Sequence, residues 1–196
     1  MLLDVQSAPT NTFRLAPVEH SHAPLFGFAL VTLSCALASF ALACATPFAD
    51  FAVLAAAMMP LRPALLVVAG AWLVNQAIGF GALHYPIDTS TILWGVTIGA
   101  AALVVTLVSA LVLRALPRVR TPLALAITLI GAYGVYELAI FAATAFLGGE
   151  GSFTAAITGR LGLLNLSWLI GLVAVCEIAR LLNSARRDPA RLRWAK

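Results

Sequence analysis

Charge is what this chain has least of. Only 10% of its 196 residues are Asp, Glu, Lys or Arg, against 62% that are hydrophobic, so it has too few polar groups to cover a soluble globule of its size. Cysteine is scarce as well. Cys35, Cys44 and Cys176 all lie inside apolar runs, and the odd number without a close pair argues against disulfides and against a metal site. No histidine falls in a helix interior, which removes bis-histidine haem ligation. Also missing are His-Glu-x-x-His, Gly-x-Ser-x-Gly and a phosphate-binding glycine loop with lysine. The sequence therefore reads as a non-enzyme with no catalytic residues, no metal and no cofactor, and as a chain unable to hydrolyse nucleotide. The net charge of +4 does not indicate a nucleic-acid partner, because the basic residues flank apolar segments as membrane topology requires. No basic leader followed by an apolar stretch and a small-residue cleavage site opens the chain, so no signal peptide is expected.

What is present is a series of apolar blocks, and a spanning helix needs about 20 such residues. The blocks cover 24–44, 47–59, 61–79, 91–113, 121–147 and a last one that starts between 153 and 161 and ends near 182. Thr46-Pro47 and Thr121-Pro122 each look like an N-cap followed by proline at the first helical position. Gly79-Phe80-Gly81 should end the third helix. The expected fold is all-α, a polytopic bundle of six transmembrane helices whose second is short or partly re-entrant. Residues 1–23 form an N-terminal interfacial segment, 24–183 the membrane domain and 184–196 a basic tail.

Orientation follows from the arginines. With six crossings, every basic residue except Arg160 lies on one side: Arg14, Arg62, Arg114, Arg118, Arg120 and the tail cluster Arg180, Arg186, Arg187, Arg191, Arg193 and Lys196. Lys and Arg are retained in the cytoplasm. Both termini are then cytoplasmic, in the inner (plasma) membrane of a bacterial cell. The loops 45–50, 82–90 and 148–152 face outward with Asp50, Asp88 and Glu150. A re-entrant second helix would instead put the N-terminus outside.

Polar groups inside apolar blocks each need a partner or a task. Glu137 sits near the middle of the fifth helix between Tyr133 and Tyr136, suited to a proton relay, a cation or a hydrogen bond to a solute. Trp72, Asn75 and Gln76 occupy the outer half of the third helix, and Asn165 and Trp168 share a face of the sixth. With His84, Tyr85, Asp88 and Trp94 they gather toward the outer side, where an aromatic-walled pocket could take a small-molecule solute. Glu177 has Arg180 at i+3, an ordinary ion pair. His20 and His22 read as a wet interfacial segment. Small residues mark helix seams at Cys35, Ser39 and Ala43 and at Gly95 and Gly99, either within the bundle or against a membrane protein partner.

The run Thr46-Pro47-Phe48-Ala49-Asp50-Phe51-Ala52-Val53-Leu54-Ala55-Ala56-Ala57, leading through Pro60-Leu61-Arg62-Pro63-Ala64 into the third helix, resembles the substrate-binding subunits of energy-coupling factor transporters. That resemblance implies a bundle of this helix count which binds a vitamin or metal ion at its outer face. It also implies docking on an energising transmembrane and ATPase module through the first-helix seam. The Met-His start of the nickel/cobalt branch is missing, which leaves a vitamin-like solute. Two other classes remain: an accessory subunit of a respiratory or photosynthetic complex, and a solitary transporter or proton-coupled channel using Glu137.

The orientation can be tested directly. Single cysteines placed in 82–90 and 148–152 should react with an impermeant thiol reagent on intact cells, and those placed at Arg118 or in the tail should not. Labelling of the tail from outside would reverse the topology.

Overall fold

The computed structural model describes residues 14–19, 21–42 and 45–187. His20, Ala43, most of the N-terminal segment and the tail from 188 onward lie outside the described residues, as do the side chains of Arg186 and Arg187. The described residues form six α-helices and contain no strand. They are α1 (Ala23–Leu42), α2 (Phe48–Met58), α3 (Leu61–Ala77), α4 (Thr89–Ala115), α5 (Thr121–Leu147) and α6 (Ala155–Arg187). Five are long and apolar enough to cross a membrane; α2 alone is not.

The bundle is organised around that short helix. At 1.5 Å per residue α2 is roughly 16 Å long, about half of the ~30 Å hydrocarbon core. It survives there because it never meets lipid: every residue except Ala56 is buried, and α1, α3, α4, α5 and α6 all pack on it. Its many alanines let the neighbours approach closely, and Phe48, Phe51, Leu54 and Met58 fill the space between them. The outer helices turn large apolar side chains outward. Leu33, Leu66, Ile130 and Ile170 are each exposed, a normal surface only for a protein whose solvent is a bilayer.

Successive helices alternate in direction. Residues 14–19 tuck under one end: the Arg14 guanidinium donates to the Leu116 and Val119 carbonyls, Leu15 N–H to Ala57 O at 3.1 Å, and Asn183 Nδ2 to Pro17 O at 3.4 Å. The N-terminal segment and the end of α6 thus share the end of the bundle where α2 gives way to α3 and α4 to α5. Arg62, Arg114, Arg118 and Arg120 belong to that end, and Arg160, in the second turn of α6, to the opposite one.

Several helix ends differ from expectation. Pro47, not Thr46, caps α2, and the Thr46 hydroxyl accepts from Asn75 Nδ2 at 3.1 Å instead. Asp50, expected in an outward loop, stands in the first turn of α2 and is fully buried. Arg120 precedes α5, with Thr121 already helical. Gly79 and Gly81 do not stop α3 sharply. They sit in a π-helical turn, Ile78–Ala82, closed by Leu83 N–H to Ile78 O at 2.9 Å. Gly79 is required there because a Cβ would fall 2.8 Å from the Tyr85 ring. At its far end α6 runs past 182, carrying the last apolar block into the basic tail.

Both small-residue seams close within the chain. Cys35 and Ser39 are buried, with Cys35 Sγ donating to Ala71 O at 3.1 Å and Ser39 Oγ accepting from Asn75 Nδ2 at 2.8 Å. Gly95 and Gly99 receive Gln76 and Trp72, so a seam on α1 and another on α4 both serve α3. The described part of the seam expected to meet a partner is occupied by the chain's own third helix.

A Cβ at Gly99 would lie 2.6 Å from Trp72 Cε2, while one at Gly131 meets nothing within 4 Å. Gly99→Ala should therefore cost about 1–3 kcal/mol through overpacking. Gly131→Ala should be neutral or stabilising by up to about 1 kcal/mol. Thermal melting of both variants in detergent checks this, and equal melting points would contradict the packing described.

Candidate functional site

Opposite the arginine end, a cleft opens between α3 and α4 and over the start of α2. Its walls include Thr46, Phe48, Asn75, Gln76, Tyr85 and Trp94, around a cavity of about 100 Å³. Three features of the fold make it. The late π-turn of α3 brings Tyr85 back over Gly79, where the Tyr85 amide donates to Gly79 O at 3.0 Å. The absence of side chains at Gly95 and Gly99 admits Gln76 and Trp72. The tight start of α2 presents Thr46 and Phe48 from below.

The polar groups of the cleft form a chain. Gln76 Nε2 donates to Asn75 Oδ1 at 3.2 Å, and Asn75 Nδ2 donates to both Ser39 Oγ and Thr46 Oγ1. Ser39 Oγ in turn donates to Cys35 O at 2.7 Å. Asn75 is thus held by three neighbours while Gln76 Oε1 points toward Gly95. Trp72 lies just behind the wall, its indole N–H on Gly95 O at 2.8 Å. At roughly 30 Å³ per water, the cavity holds about three waters or one small polar group. That is below the usual range for drug-sized ligands.

Beneath this chain is a residue that reading the sequence missed as a site. Asp50 is fully buried, and neither carboxylate oxygen has a hydrogen-bond partner among the described residues. Its nearest electrostatic support is the Asp50 and Phe51 amides at the start of α2. A buried acid without a counter-charge is rare and costly. Its signal in the sequence was the position, an acid inside an apolar segment too short to face lipid.

The other expected site residues disperse. His84 is exposed in the loop after α3 with φ of 54°. Asp88 is exposed and serves α4 as its N-cap, accepting from Thr91 N–H at 2.8 Å. Glu137 is half-buried on α5 beside Tyr133, whose hydroxyl donates to Thr158 O at 2.6 Å at the start of α6. Asn165 is buried on α6 and among the described residues bonds only Leu161 O, through Nδ2, and Trp168 packs on the core. Glu137 is not among the residues that line the Asn75 cleft, whose walls come from the start of α2, from α3 and the turn after it, and from α4. Of the expected set, Asn75, Gln76, Tyr85 and Trp94 line it and Trp72 backs it. Among the described residues no three His, Cys, Asp or Glu side chains group as metal ligands would.

A scan against protein-family models found no match, and neither curated proteins nor solved structures yielded a similar chain.

Asp88 makes a pH-dependent contribution. Its hydrogen bonds from Thr91, the backbone amide first, hold the carboxyl below the usual value of 3.8. A lowered folded value means that the stabilisation is present above 3.8 and is lost as pH falls through the folded value. The melting-point difference between wild type and Asp88→Asn should stay constant from neutral pH down to 3.8 and change in the mutant's favour below it. A difference that does not move with pH would remove Asp88 as a charged cap.

Proposed function

We propose that the chain is the solute-binding, non-catalytic subunit of a membrane uptake system, taking a small vitamin-like solute at its outer end. The observation that carries this reading is the α3–α4 cleft, where paired amides from Asn75 and Gln76 are braced by Ser39 and Thr46 and flanked by Tyr85 and Trp94. Amides offer both donors and acceptors, and aromatic walls provide flat apolar area, the combination that small polar ring systems require. On this reading the bundle sits in the inner membrane of a bacterium with both termini cytoplasmic. Its cleft faces outward, and energy comes from a separate transmembrane and ATPase module. That partner cannot use Cys35 and Ser39, which α3 covers. The small volume of the cleft favours the second reading, an accessory subunit of a larger membrane complex whose polar residues only join helices.

The two separate by experiment. Titration of the purified protein with a panel of water-soluble vitamins should give one solute that changes Trp94 fluorescence and raises the melting point. Gln76→Leu should weaken that response by roughly tenfold, the value of about one lost polar contact. Glu137→Gln, which does not line the cleft, should retain it. Silence across the panel, together with a large membrane complex co-purifying from native membranes, would establish the accessory role instead.

A further inference from the structure

At the arginine end a second and larger space opens, about 350 Å³, bounded by Arg14, Met59, Leu61, Ala110, Leu113 and Arg114 among others. Three sources of positive potential meet there. Arg14 is fixed in place by its bonds to the Leu116 and Val119 carbonyls, so its charge does not wander. Arg114 comes from the last turn of α4 and is exposed. The third source is the start of α3: its N-cap is Pro60, which offers no side-chain acceptor, and its first turn holds no acid. Pro63 has no N–H and the Ala64 amide is bonded to Pro60 O, so the helix presents the uncapped amides of Leu61 and Arg62 and the positive end of its dipole, with Leu61 at the cavity wall.

Among the described residues this charge meets backbone carbonyls, at Arg14, but no acid. No carboxylate lines the cavity, and neither arginine takes part in an ion pair among the described residues. The remaining walls are apolar. A hydrated inorganic anion has no use for Met59, Leu61, Ala110 and Leu113, whereas a lipid has both a phosphate and hydrocarbon next to it. The position also fits, because the flanking arginines Arg62, Arg118 and Arg120 belong to the same end of the bundle, where a bilayer's headgroups would lie.

We propose that this cavity binds the phosphate of an anionic phospholipid. Arg14, Arg114 and the α3 N-terminus receive the phosphate, and the apolar walls receive the glycerol and the first methylenes of the chains. The site is independent of the outer cleft and of whatever that cleft binds.

The test uses the purified full chain in detergent micelles doped with phosphatidylglycerol or phosphatidylcholine, with retained lipid read by native mass spectrometry. Wild-type protein should retain phosphatidylglycerol preferentially. Arg114→Gln should retain it roughly tenfold less, one charge-assisted contact being lost. Ala110→Phe keeps both charges but fills the cavity, and it should show a similar loss. Inorganic phosphate at roughly millimolar concentration should not displace the lipid, since it gains nothing from the apolar walls. Equal retention of the two lipids, or wild-type retention by Arg114→Gln, would overturn the proposal. Displacement by phosphate alone would identify a free-anion site instead. Arg114 is exposed, so its substitution leaves the fold intact and decides the matter even if Ala110→Phe does not assemble.

Discussion

A helix of eleven residues in a medium that demands longer ones is the constraint from which the architecture follows. Hydrocarbon offers no partner for the free N–H and C=O groups at helix ends, so α2 can exist only where protein surrounds it. Five long helices do so, and their mutual arrangement is largely the arrangement needed to enclose it. The alanines of α2 set how closely they approach, and Phe48, Phe51 and Met58 determine where they stop. The N-terminal segment completes the enclosure by donating Leu15 N–H to the Ala57 carbonyl.

Enclosure concentrates polar chemistry as well. With the outer faces given to lipid, most hydrophilic side chains in the described core bond inward or to their own backbones, Ser109 being buried without a partner among the described residues. Thr106 and Thr128 each satisfy their hydroxyl on the carbonyl four residues earlier, which lets them act as small core residues. Asn75 does the opposite and ties α1, α3 and the start of α2 together. Asp50 does neither. It is the one acid on α2, fully buried one turn beyond Thr46, which lines the cleft.

The long apolar blocks were legible because bilayer thickness imposes one length on every lipid-facing helix. The short second block stood out against that length, and its shelter by protein could be reasoned from it. Helix starts were harder to read. At Thr46 and Thr121 the local capping preference competes with a proline that fixes the turn one residue later or earlier, and at Thr46 a tertiary bond to Asn75 takes the hydroxyl that a cap would use. The site was half legible. Asn75, Gln76 and Trp72 lie on one helix, so spacing alone places them together. Glu137, Asn165 and Trp168 lie on other helices, and which helices adjoin is a property of packing that no spacing encodes. Asp50 was hidden by its company, since an acid between Thr-Pro-Phe-Ala and Phe-Ala reads as a loop until the burial of that segment is known.

The length of α2 also bears on how the protein comes to exist. A membrane protein is built from its N-terminus, and α2 leaves the ribosome before four of the five helices that enclose it. Entering the bilayer alone it would carry unsatisfied backbone groups into hydrocarbon at one or both ends. It has no seat until α3, α4, α5 and α6 arrive. Insertion and folding are separable for a chain made only of full-length spans, whereas here the enclosure of α2 is complete only once the sixth helix is in place.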